Sequence, residues 1–105
     1  MVHELTDTSF NAFLQSEKPV IVDFYATWCQ PCKRLSPLLE EIADEYRDQI
    51  AVGKLDTDLN PEITSQYGIM SIPTILVLQN GQVVDQLVGL RPKQDLVQKF
   101  GLSVF

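Results

Sequence analysis

A chain of 105 residues, 45% hydrophobic and 21% charged, can bury one core without structural metals or several disulfides, and one domain over residues 1–105 is expected. The formal net charge of −6 argues against nucleic-acid partners, whose phosphate backbones are read by clustered Lys and Arg. The longest apolar runs, Val20-Ile21-Val22 and Ile75-Leu76-Val77-Leu78, are far shorter than the roughly 20 residues of a membrane-crossing helix. Met1 to Leu5 carries neither the basic start nor the apolar stretch of a secretory signal, so the expected location is the cytoplasm.

Thr6 to Ser16 opens with Thr and Asp, residue types that cap helices, and then spaces Phe10, Phe13 and Leu14 as i, i+3, i+4, which predicts a short first helix. Pro19 to Tyr25 is β-branched, aromatic and almost continuously apolar, as in a strand covered on both faces, with Asp23 as the interruption. Between Cys32 and Tyr46 the residues Leu35, Leu38, Leu39, Ile42, Ala43 and Tyr46 form one helical stripe. Pro37 lies inside it and predicts a kink in a single helix.

Ile50 to Asp56 reads as a strand. Asn60-Pro61-Glu62 then supplies a cap, a first-turn proline and an early acid for a helix ending at Tyr67, before Gly68. Alternating strands and helices to this point imply parallel crossovers. The pattern changes at Asn80-Gly81, a tight-turn pair joining Ile75–Gln79 to Gln82–Val88, so the last strands are expected to be antiparallel. Pro92 to Phe100 predicts a final helix. The reading is an α/β fold.

Both cysteines of the chain fall in Trp28-Cys29-Gln30-Pro31-Cys32-Lys33, at a predicted strand-to-helix junction. Two cysteines are too few for a disulfide-stapled scaffold, which points to chemistry. At the helix start, unpaired amides and the helix dipole favour negative charge, so Cys29 is the expected nucleophilic thiolate. Cys32, almost one turn further in, is expected to be the less exposed, resolving thiol. Pro31 is tolerated in the first turn, where its missing amide hydrogen has no helical partner, and it stiffens the bridge. The other reading of the pair is half of a zinc or iron–sulfur site. Such sites usually need four ligands, and His3 is the only histidine, which leaves a metal shared between two copies.

The run from Val22 to Lys33 resembles the active-site signature of thioredoxins, and Lys54-Leu55-Asp56, Ile72-Pro73-Thr74 and Val88-Gly89 follow in that family's order. The resemblance covers essentially the whole chain. It implies the thioredoxin fold, a central mixed sheet of about five strands flanked by about four helices. It also implies a protein-disulfide reductase and dithiol electron carrier that needs no cofactor or metal, is served by a thioredoxin reductase, and acts as a monomer on client proteins.

Residue by residue, the resemblance makes Pro73 a cis-proline, with Ile72 offering backbone hydrogen bonds to a substrate strand. Trp28, Gln30, Pro31, Ile72, Pro73 and Gly89 would contact substrate around Cys29. Asp23 would be the buried carboxyl behind Cys32, with Lys54 beside it. Two positions depart from the family: Gln30 stands where Gly is usual, and Tyr25 where Trp is common.

From composition alone Asp23 reads equally as a strand-end carboxylate reaching water, Lys54 as a snorkelling surface lysine, Pro73 as an ordinary trans turn proline and Trp28 as plain core. Competing functions are a binding platform whose dithiol is secondary and an oxidase or isomerase. The latter commonly carries His between the cysteines, and Gln30 cannot become cationic. A glutaredoxin fits the Trp28 and Gln30 context less well.

Overall fold

The computed structural model describes residues 1–102. Five strands and four helices follow one another along it: β1 (Val2–Leu5), α1 (Phe10–Phe13), β2 (Val20–Tyr25), α2 (Gln30–Glu45), β3 (Ala51–Asp56), α3 (Pro61–Gln66), β4 (Thr74–Gln79), β5 (Gln82–Val88) and α4 (Lys93–Lys99). They build one sheet in the order β1-β3-β2-β4-β5. The first three strands run parallel, and β4 and β5 are antiparallel to their neighbours. The mixed α/β sheet expected from the resemblance is therefore present.

Side-chain alternation along β2 explains its unbroken apolar reading. Val20, Val22 and Phe24 pack with Phe10, Leu55 and Ile63 on one side, while Ile21 packs with Leu35, Leu39, Ile42 and Leu96 on the other. Because the strand is central, both of its faces must be apolar. Asp23 falls on the Ile21 side, beneath α2. The β4–β5 turn places Asn80 at φ 54° and Gly81 at φ 78°, the left-handed pair that a two-residue hairpin needs to match strand twist.

Two local expectations are corrected. The first helix is Phe10–Phe13 rather than Thr6–Ser16, and Thr6 and Ser9 bond each other just ahead of it: the Thr6 amide donates to Ser9 Oγ at 2.9 Å and the Ser9 amide to Thr6 Oγ1 at 3.2 Å. This reciprocal pairing is that of a capping box and leads the chain into the helix, with the Phe10 amide donating to the Thr6 carbonyl at 3.0 Å. Asp7 does not cap this helix, and Asn60 does not cap α3 with its own side chain. Instead the Asp7 carboxylate reaches across to α3 and accepts from the amides of Ile63 (2.9 Å) and Glu62 (3.2 Å). Asn60 Oδ1 accepts from the Asp7 amide, which ties the two segments together.

Strand β1, unread in the sequence, is an edge strand whose four residues pair with Val52–Leu55 of β3. The long helix α2 runs unbroken through Pro37 and begins at Gln30, two residues before Cys32, the expected start of the helical segment.

Candidate active site

The chain leaves β2 at Tyr25 and enters α2 at Gln30, so the loop between them sits at the carboxyl end of a central parallel strand. In open α/β sheets this is where ligands are met. Cys29 is the N-cap residue of α2, in extended backbone (φ −85°, ψ 112°), and its Sγ accepts a hydrogen bond from the Cys32 amide at 3.2 Å. An orphan helix donor thus points at this sulfur, an arrangement that favours the thiolate when the bridge is open. Pro31 occupies the first turn, as expected.

Cys29 and Cys32 form a disulfide, with Cα atoms 5.3 Å apart. That separation lies in the ordinary range for a bridge, so the backbone need not move to close it. Overall exposure barely separates the two, at 4% for Cys29 and 3% for Cys32. Position separates them instead. Cys29 caps the helix, whereas Cys32 lines a cavity of about 250 Å³ together with Asp23, Tyr25, Thr27, Lys33 and Lys54.

Asp23 is 2% exposed, and its Oδ1 has no hydrogen-bond partner. Burial raises its pKa from 3.8 to about 7; the positive charge of Lys54 acts against this and the negative charge of Glu4 acts with it. A carboxyl with its proton affinity near neutrality, facing the same cavity as a thiol, is chemically equipped to exchange a proton with it. Among the described residues no group of three or more His, Cys, Asp or Glu side chains could hold a metal ion.

Around the disulfide, Ile72 packs with Ala26, Cys29 and Cys32. The Ile72–Pro73 peptide is cis. Pro73 itself is buried and its carbonyl accepts from the Gly89 amide at 2.9 Å, so Ile72 and Gly89, both half-buried, present more surface than Pro73 does. Gly89 has φ 94°, a conformation a side chain would strain. Gln30 and Pro31 are exposed, and Trp28 is 65% exposed.

The Trp28 ring is held by a residue the sequence reading missed: its Nε1 donates to Asp58 Oδ2 at 2.8 Å. Glu4 and Tyr25 also enter the site, since the Tyr25 hydroxyl lies 2.8 Å and 2.9 Å from the two Glu4 carboxylate oxygens. The available signal was periodicity. Tyr25 lies two residues from Asp23 on one strand and so shares its face, but Glu4 has no such signal until β1 is recognised as a strand.

A sequence model of the thioredoxin family matches residues 1–101. A thioredoxin of Alicyclobacillus acidocaldarius subsp. acidocaldarius is 51% identical over 92 residues, 88% of each chain. A thioredoxin of Rickettsia typhi is 46% identical over 105 residues, covering 99% of this chain and all of the relative. A bifunctional thioredoxin reductase/thioredoxin of Mycobacterium leprae is 52% identical over 96 residues, 90% of this chain and 21% of that longer protein. With a Cys-X-X-Cys disulfide at the head of α2 and matches of this extent, the chain belongs to the thioredoxin family of thiol–disulfide oxidoreductases.

Proposed function

We propose that the protein is a dithiol electron carrier in which Cys29 attacks, Cys32 resolves and Asp23 takes the proton that resolution releases. The observation that supports this reading best is Asp23 itself, a buried carboxyl with a partnerless oxygen on the cavity that Cys32 lines. In the reduced protein the Cys29 thiolate attacks one sulfur of a client disulfide. The client S–S bond breaks, a mixed disulfide forms on Cys29, and one client thiolate leaves. Cys32 then gives its proton to Asp23 and attacks Cys29 Sγ. The mixed disulfide breaks, the Cys29–Cys32 bond forms, and the second client thiolate departs and is protonated. Two electrons pass to the client and the dithiol becomes the disulfide seen here.

Trp28, Gln30, Pro31, Ile72 and Gly89 form the surface that meets the client, with Pro73 supporting it from below, and Lys54 moderates the charge on Asp23. The reducing partner is a thioredoxin reductase, in keeping with the mycobacterial relative that joins both activities in one chain. The protein works as a cytoplasmic monomer without a bound cofactor; no helix among the described residues is long and apolar enough to cross a membrane.

The roles of the cysteines are tested by alkylating the reduced native protein at pH 7 and by presenting each serine variant with a disulfide-containing test protein. Cys29 reacts first, Cys32→Ser accumulates the mixed disulfide, and Cys29→Ser forms none. First modification at Cys32 overturns the assignment.

A further inference from the structure

Parallel pairing puts directly opposed residues on one face of the sheet, and the register aligns Glu4 of β1 with Lys54 of β3, and Lys54 with Asp23 of β2. At about 4.8 Å per strand, the three make a row beneath α2 with the single cation in the middle. Lys54 therefore has an acid on each side. Its Nζ lies 3.8 Å from Glu4 Oε1 and 5.4 Å from the centre of the Tyr25 ring, while Asp23 Oδ1 has no hydrogen-bond partner. The ammonium is engaged on the Glu4 side of the row.

Tyr25 holds it there. Its hydroxyl bridges both Glu4 oxygens at 2.8 and 2.9 Å, and the phenol is raised above its ordinary range by burial and by the Glu4 carboxylate, so near neutral pH it remains a donor. The charges that act on Asp23 are those of this row, Lys54 and Glu4. On the same cavity α2 brings Cys32, Lys33 and Ser36; β4 opposes Asp23 with the apolar Ile75; Asp56 lies one row further along, opposite Tyr25.

We propose that Glu4 and Tyr25 are positioning residues for the resolving step, dividing the charge of Lys54 between two carboxylates so that Asp23 stays free to take the proton of Cys32. This rests on the reading of Asp23 as proton acceptor. Without the Glu4 carboxylate, Lys54 turns to the one acid left, and Asp23 becomes a paired anion with weaker proton affinity. Without the Tyr25 hydroxyl, Glu4 at the edge of the sheet is released towards water and loosens its hold on Lys54. The effect then has the same sign and is smaller.

The experiment is a carboxyl NMR titration of Asp23 in the oxidised protein, run beside rapid-quench measurement of mixed-disulfide resolution against pH. Glu4→Gln lowers the Asp23 midpoint by at least about half a pH unit, a three-fold change in its protonated-to-ionised ratio. Tyr25→Phe, the substitution least able to disturb folding, lowers it less. In a Lys54→Met background the Glu4→Gln shift shrinks by at least half, because its main route is gone. The pH profile of resolution moves with each midpoint. An unmoved or raised midpoint in Glu4→Gln, or a full shift persisting without Lys54, overturns the positioning role while leaving Asp23 as acceptor. Midpoints that move while resolution ignores them, together with wild-type resolution in Asp23→Asn, remove Asp23 from the reaction and this role with it.

Discussion

Asp23 and Asp56 lie on the same face of the sheet one row apart, and both are buried, at 2% and 5% exposure. Their surroundings differ in one respect. Asp56 Oδ1 accepts from the amides of Asp58 (2.9 Å) and Leu59 (3.4 Å), closing the turn that follows β3. Asp23 Oδ1 accepts from nothing, and its neighbours leave its proton affinity near neutrality. A buried carboxylate that organises backbone amides is part of the architecture. One whose oxygen is left bare is costly to the fold and is a candidate for chemistry. Burial alone does not separate these two acids; hydrogen-bond satisfaction does.

The largest effect that can break this contrast is kinetic. Asp23→Ala slows resolution of the mixed disulfide about 100-fold at pH 7, the scale of lost general-base catalysis. The deficit narrows towards pH 9, because above the ordinary thiol range of about 8.5 Cys32 no longer needs a base. In the wild type the same step accelerates as pH rises through about 7, where Asp23 becomes ionised and able to accept. Asp56→Ala leaves the pH profile of this step in place. Rapid-quench trapping of the mixed disulfide reads all three; a pH-independent loss in Asp23→Ala would mark a structural role only.

Stability separates the two acids next, and with opposite signs. The pKa of Asp23 rises from 3.8 to about 7 on folding, so the folded state binds this proton more tightly. Its contribution to stability is fully present below about 3.8 and is lost as pH rises through about 7. Asp23→Ala therefore gains on the wild type across that window and levels off above it, at about 1–4 kcal/mol by pH 8. Asp56→Ala instead destabilises by about 1–2 kcal/mol at pH 5 and pH 8 alike, since it strands two amides. Denaturant midpoints across pH decide it, and an Asp23→Ala protein weaker than wild type at pH 8 would contradict the burial of a charge.

Much of this arrangement is legible in the sequence because it is local. Strands β2 and β3, the stripe of α2, the Asn80-Gly81 hairpin and the Cys-X-X-Cys junction each carry their signal within a short window. The burial of Asp23 and the neighbouring Lys54 are both read from the family resemblance, since one acid inside an apolar run is equally compatible with a carboxylate that reaches water. What the sequence hides is made by pairing between distant segments. β1 is four residues long, with His3 and Glu4 at its centre, and becomes a strand only by lying on β3. Asp7 looks like a local cap and instead serves α3, more than fifty residues away. Glu4, joined to Tyr25 and Lys54, enters the site by the same route. The hold of Asp58 on Trp28 spans thirty residues and has no periodicity to announce it.

The smallest effect concerns what the satisfied acid does for the surface. Asp56 fixes the Asp58 amide, and the Asp58 carboxylate accepts from the Trp28 indole, so the turn after β3 holds the exposed ring beside Cys29. Asp58→Ala leaves Asp23, Lys54 and both sulfurs in place and releases the ring. Losing one hydrogen bond to a charged group at an exposed site costs about 0.5–1.5 kcal/mol, or roughly two- to ten-fold in client KM. The resolving step keeps its rate and its pH profile, since neither depends on how the client is first seated. Trp28 is the only tryptophan of the chain, so its fluorescence anisotropy reports the ring directly and falls in Asp58→Ala. A fall in anisotropy with unchanged KM would show that the ring is held for reasons other than client contact. A slowed resolving step would mean that the turn after β3 reaches Asp23 as well, and the two acids would no longer be separable.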